Sequence, residues 1–300
     1  MGMEQSSYAA NNRRIAMRVS VLSIIVNIIL SLLKFVAGIV AQSGAMLSDA
    51  VHSASDVFST FIVMIGISLS GKKSDKEHPY GHDRLECVAS IVLSVILFAT
   101  GLGIGFNGIE KIASKDYTSL SIPGRLALFT AIGSIITKEW MYWYTRSAAK
   151  RIHSDALMAD AWHHRSDSLS SIGSFLGILA ARLGFPVFDP VASVIICLFI
   201  LKAAISIFRD SIDKMVDKSC DDTLVEQMKQ IVLQVSGVDH IDEIRTRMFG
   251  AMIYVDIEIA ADGTLTLNAA HSIAESVHSA MEEHFPLVKH CMVHVNPVQK

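Results

Sequence analysis

Apolar residues run in long blocks through the first two thirds of the chain and in short alternations through the last third. A helix that crosses a bilayer needs about 20 mostly apolar residues. Six blocks before residue 210 have that length: Ile15 to Ala41, Ala45 to Ser70, Leu85 to Ile109, Leu126 to Tyr144, Ala156 to Leu183 and Val187 to Phe208. The first, third and sixth are clear, whereas charged residues interrupt the other three. From about Asp210 the pattern becomes that of a small soluble domain. Asp221 or Asp222 is placed to cap a helix running through Leu233. His240 to Arg247 predicts a strand. In Met252 to Ile259, Ile253, Val255, Ile257 and Ile259 face one way and Tyr254, Asp256 and Glu258 the other, which predicts a half-buried strand. Asn268 to His284 predicts a helix with Ala270, Ile273, Ala274 and Val277 on one stripe, and Val288 to Val295 a closing strand. The expected organisation is an all-α membrane domain of six transmembrane helices over 1–209. An α+β domain over 210–300 follows, in the order α-β-β-α-β, with its helices on one face of a small sheet.

Charge sets the orientation. Arg13, Arg14 and Arg18 lie at the start of the first block, Lys72, Lys73, Lys76 and Arg84 separate the second and third, Arg146, Lys150 and Arg151 separate the fourth and fifth, and Arg209 follows the sixth. The opposite side holds only Lys111, Lys115, Arg125 and, at the end of the fifth block, Arg182. The richer side faces the cytoplasm, so both termini are expected there. A hydrophobic share of 51% with only 18% charged residues fits a lipid-embedded chain. The net charge of -3, with no basic block, gives no reason to expect a nucleic-acid partner. The four cysteines are scattered without a C-x-x-C pair, so neither a disulfide framework nor a thiolate zinc site is predicted. The polar N-terminus lacks the features of a cleaved signal peptide, and no organic cofactor is expected.

The charges inside the apolar blocks repeat. Asp49, Ala50, His52, Ser55 and Asp56 in the second block match Asp160, Ala161, His163, Ser166 and Asp167 in the fifth, and Ser59 and Ser170 extend the match. Within each copy the first Asp, the His and the second Asp share one helix face. Each His/Asp pair falls near the middle of its span, and the two spans run in opposite directions, so the pairs can meet at the midplane as transporter sites do. An ionised carboxylate in hydrocarbon costs at least about 2.5 kcal/mol. A divalent cation held by two imidazoles and two carboxylates offsets that cost. Two nitrogens and two oxygens suit Zn²⁺, and the lack of thiolates argues against Cu(I). The ligands bind metal only when deprotonated, so metal release couples to proton uptake. His52, Asp56, His163 and Asp167 are thus the expected transport ligands. Asp49 and Asp160, about a turn away, are expected either to guide ions or protons along the access path or to bind water in a vestibule. The serines are expected to pack helices. Lys34, Lys138 and Glu139 also lie inside spans, where snorkelling or an interhelical ion pair accounts for them.

At these residues the chain resembles the cation diffusion facilitator family of metal/proton exchangers. Leu47-Ser48-Asp49-Ala50-Val51-His52-Ser53 with Asp56 looks like that family's second-helix signature, and Asp160-Ala161-Trp162-His163 with Asp167 its fifth. The resemblance covers nearly the whole chain. It implies six spans and a cytoplasmic ferredoxin-like domain, a homodimer in the lipid bilayer of the plasma membrane, and efflux of metal in exchange for protons. A His/Asp pair on both helices resembles the zinc branch, while broader members move iron, manganese, cadmium or cobalt. It further implies a second zinc site at Asp75, His78 and His82, in a stretch whose residues by themselves read either as a solvated polar loop turning at Gly81 or as three side chains that converge on a metal. It implies cytoplasmic metal positions at His240, Asp256, His271 and His294, with Asn296 standing where an acidic ligand is common. It also implies a charge interlock between Arg84 and Asp217. An intramembrane metalloenzyme is the competing reading, weakened by the absence of an H-E-x-x-H motif and of a spare glutamate near the pairs.

Overall fold

A computed structural model of the chain describes residues 2–40, 44–114, 125–182 and 188–298. The apolar blocks are helices: α1 Gly2–Val40, α2 Gly44–Ser70, α3 Leu85–Ser114, α4 Arg125–Ile152, α5 Asp155–Arg182 and α6 Phe188–Met215. The tail folds as α7 Asp222–Leu233, β1 His240–Phe249, β2 Met252–Asp262, α8 Leu267–His284 and β3 Val288–Val298. The chain forms two compact units. One holds residues 14–70 and 85–211, and the other holds residues 1–13, 71–84 and 212–300.

In the helical unit, apolar side chains cover much of the outside, and several polar ones are buried inside. Val21, Ile25, Ile28, Leu32 and Val36 on α1 and Val88, Val95 and Phe106 on α3 point outward. Ser20, Ser23, Asn27 and Lys34 on α1 and Ser90 and Ser94 on α3 are buried. Such an apolar exterior suits hydrocarbon, where polar groups must find partners inside the protein. Among the described residues, Ala10–Ala37 and Leu85–Ser114 are long and apolar enough to cross a membrane. Small residues let helices approach closely. A Cβ at Gly66 of α2 would stand 2.3 Å from that of Ala89 on α3, and one at Gly105 of α3 would stand 2.5 Å from Sγ of Cys197 on α6. The apolar core joins Val63 and Ile67, Leu93 and Leu97, Ala149 and Ile152, Ala156 and Leu157, and Ile200 and Ala204.

The tail sheet has the order β1-β2-β3, with β1 antiparallel and β3 parallel to β2. Ile253, Val255, Ile257 and Ile259 of the central strand meet Met228 and Val232 of α7 and Val277 and Met281 of α8 in one core. The period-two alternation therefore puts these side chains where the sequence predicts, with one difference. Tyr254, expected on the outer face, is buried. Its hydroxyl donates to the Tyr80 carbonyl at 3.1 Å, and its ring meets Tyr80 and Phe249. Segment 71–84 thus packs on the sheet as part of the tail unit. Asp221 occupies the α7 N-cap, but its backbone carbonyl, not its carboxylate, accepts the N–H groups of Leu224 and Val225. Thr266 caps α8 through its hydroxyl.

Candidate metal site

On α5, Asp160, His163, His164 and Asp167 follow the i, i+3, i+4, i+7 spacing of one helix face, and all four are buried. On α2, Asp56 is buried as well. The ligating atoms of Asp56, His163 and Asp167 all lie within 4.8 Å of one another, the geometry of a three-ligand metal group. His163 Nε2 stands 3.5 Å from Asp56 Oδ1. The fold thus brings together three of the four residues expected as transport ligands. His52 and Asp49 fall on α2, and their side chains lie outside the described residues.

A cation from a third helix completes this cluster. Lys138 of α4 is only 3% exposed. Its Nζ donates to Asp56 Oδ2 at 2.5 Å and to Asp167 Oδ2 at 2.9 Å. Of the two explanations the sequence offers for Lys138, the ion pair holds and snorkelling does not. Its neighbour Glu139 points elsewhere, as adjacency on a helix requires. It pairs with Arg165 and accepts from Ser168 Oγ at 3.2 Å and from Trp143 Nε1 at 3.0 Å. Lys34 donates to Ser53 Oγ at 2.8 Å, again inside the bundle. Buried charges are tolerable when paired and hydrogen-bonded, and Lys138 supplies both to two carboxylates.

Asp160 departs from its expected vestibule role. It is 0% exposed. Its Oδ1 accepts from Thr60 Oγ1 at 3.0 Å, and its Oδ2 lies 3.6 Å from Nε2 of the equally buried His164. This second His/Asp pair is packed between α2 and α5, not held in a water-filled opening. The sequence did carry a signal for His164, because Asp160 and His164 stand at the same i, i+4 offset that distinguishes His163 and Asp167.

The second three-ligand group lies in segment 71–84, in the other unit. Asp75 Oδ1 is 3.3 Å from His78 Nδ1, Asp75 Oδ2 is 3.4 Å from His82 Nε2, and the imidazole centroids are 4.5 Å apart. The turn that gathers them is closed by the Gly81 N–H, which donates to the His78 carbonyl at 3.0 Å. Gly81 has φ +96°, which side-chain-bearing residues rarely adopt. The His78 backbone N–H, donating at 2.7 Å, holds the Asp75 carboxyl below its usual value. The segment is tied to the tail by Lys289, 2.5 Å from Asp83 Oδ2, and by Arg84, which pairs with Asp217 and lies over the Phe249 ring.

The four expected tail positions do not meet within one chain. His240 bonds to Asp239 at 2.7 Å and to Asp242 at 3.0 Å, which raises its pKa, chiefly through Asp239. Asn296 donates to the same Asp242 at 2.8 Å. Asp256 is 3.9 Å from Arg247, His271 is 3.7 Å from Glu275, and His294 lies beside Glu258 on the neighbouring strand. The four cysteines are free and buried. Burial pushes the Cys291 thiol up to about 12, so it offers no thiolate at neutral pH.

The chain matches two known protein families along its length. The cation efflux transmembrane domain matches residues 20–216, and the cytoplasmic domain of cation efflux proteins matches residues 220–298. The chain is 31% identical over 296 residues to the manganese efflux system protein MneP of Bacillus subtilis (strain 168), covering 96% of this chain and 98% of that protein. It is 32% identical over 280 residues to metal tolerance protein C1 of Arabidopsis thaliana, covering 89% of this chain and 59% of that protein. It is 30% identical over 266 residues to the magnetosome protein MamB of Magnetospira sp. (strain QH-2), covering 89% of this chain and 90% of that protein. Members of the matched family are integral membrane transporters of metal ions, which excludes the metalloenzyme reading. The chain belongs to the cation efflux family, the cation diffusion facilitators.

Proposed function

We propose that the protein exports a divalent transition metal from the cytoplasm in exchange for protons, with Asp56, His163 and Asp167, joined by His52, as the transport site. The observation that carries this reading is the convergence of two carboxylates and an imidazole inside a bundle whose exterior is apolar. Such groups bind metal when deprotonated and release it when protonated, so exchange with protons follows from the ligand chemistry. Six spans with both termini in the cytoplasm, a homodimer and a plasma-membrane location complete the proposal, supported by the flanking charges and by the cytoplasmic-domain family match.

Zinc is the first-choice cargo, because imidazole nitrogens beside carboxylates suit its tetrahedral site. Manganese is the second reading, favoured by the name of the relative MneP and by the two hard carboxylate oxygens. The test is metal flux into proteoliposomes under an imposed pH gradient. Zinc movement driven by opposing protons, and abolished in Asp56→Ala and Asp167→Ala, is expected. Uptake that ignores the gradient overturns proton exchange, and manganese flux exceeding zinc flux overturns the choice of metal.

A further inference from the structure

The ammonium of Lys138 holds one oxygen of each of the two carboxylates that the transport site offers a metal. Its Nζ stands 2.5 Å from Asp56 Oδ2 and 2.9 Å from Asp167 Oδ2, on a side chain 3% exposed. A metal ligated by the same oxygens sits about 2.0–2.2 Å from them. An ammonium and a divalent ion cannot both hold these oxygens at such distances, and their like charges repel strongly in a buried site. Lysine is suited to yielding, being a compact charge on a flexible four-carbon stem. His163 is differently placed, since it reaches Asp56 through the other oxygen, Oδ1, at 3.5 Å. The imidazole can therefore join a metal at the cluster, whereas the lysine competes with it.

Resting on the transport-site reading above, we propose that Lys138 is a tethered competitor of the transported ion: metal binds Asp56 and Asp167 by displacing its ammonium, and the returning ammonium helps expel the metal. The lysine thereby weakens metal binding and speeds turnover. It also removes the cost of two neighbouring buried carboxylates that lack a cation.

The experiment is zinc flux by the full-length protein in proteoliposomes, with KM and kcat measured separately for Lys138→Met and Lys138→Arg. Lys138→Met keeps an unbranched apolar stem of similar size and removes the competing ammonium. KM should fall at least about tenfold while kcat also falls, because release loses its internal cation. Lys138→Arg keeps the charge and grips carboxylates in a bidentate fork, so KM should rise severalfold. Opposite shifts in KM are not what a merely structural role produces, which would damage both variants in the same sense. An unchanged or raised KM in Lys138→Met overturns the proposal. If that variant does not fold, an unchanged or lowered KM in Lys138→Arg overturns it. Asp167→Asn separates the two levels: if it transports normally, the site reading fails, whereas normal KM in the lysine variants with a dead Asp167→Asn fails the competitor alone.

Discussion

The helical unit and segment 71–84 each gather two kinds of ligand, carboxylate and imidazole, into a three-residue group, but in opposite surroundings. Asp56, His163 and Asp167 are buried among helices and answered by Lys138. Asp75 and His78 are exposed on a turn, with only His82 largely covered. Water screens and solvates the second group, so leaving it without metal costs little. The first group lies where an uncompensated charge is expensive, so it carries its own cation. The contrast teaches that similar ligand sets become different devices. The buried set must always be neutralised and can therefore couple ion exchange to conformation, while the exposed set can fill or empty with small consequence for the fold.

The largest effect should come from removing a buried ligand. Replacing groups that only support a metal ligand typically costs 10–100-fold. Asp167→Asn should therefore cut zinc flux by more than about 100-fold, measured in proteoliposomes, and retention of a tenth of the flux would break the contrast. His163→Asp exchanges the nitrogen donor for a third carboxylate, and the zinc-to-manganese flux ratio should fall by about tenfold. Next in size is Thr60→Val, which strips Asp160 of the donor at 3.0 Å. Leaving a buried acceptor unpaired costs about 1–3 kcal/mol, which thermal unfolding in detergent would register as a lowered midpoint. At the exposed group, His78→Ala should abolish metal binding by the loop yet change flux by less than about tenfold, as read from equilibrium binding and flux on the same preparation.

The smallest effect concerns pH. Asp75 sits below its ordinary value of 3.8, chiefly because the His78 N–H bonds its ionised form. A depressed carboxyl stabilises the turn above pH 3.8, and that contribution fades as pH falls through the lower folded value. A carbon-13 titration of the Asp75 carboxyl should show a midpoint under 3.8, and a midpoint at or above it would contradict the bonded turn.

Much of the architecture was legible because each element carries its own local pattern. The helix positions follow from long apolar blocks, and β2 follows from the alternation at Ile253, Val255, Ile257 and Ile259. The twin pattern singled out Asp56, His163 and Asp167, which the fold brings together, because helical spacing fixes which residues share a face. Three features were hidden for one physical reason: each depends on a partner far away in sequence. Nothing near Lys138 tells that its ammonium reaches Asp56 on α2. Nothing near Asp160 tells that Thr60 and a packed helix, not water, surround it. Likewise Tyr254 reads as an outward position until the Tyr80 carbonyl arrives from segment 71–84. The tail residues His240, Asp256, His271 and His294 occupy separate strands and a helix, and sequence positions alone do not reveal that one chain leaves them apart.

The central claim is that the transported metal binds inside the helical unit, on Asp56, His163 and Asp167. Anomalous diffraction at the zinc edge, from crystals of the full-length protein grown with zinc, tests it most directly. The account predicts an anomalous peak within bonding distance of those three side chains, with the Lys138 ammonium withdrawn from Asp56 and Asp167. Fully occupied peaks at Asp75, His78 and His82 or in the tail, with none between α2 and α5 and Lys138 still bridging the carboxylates, would contradict it.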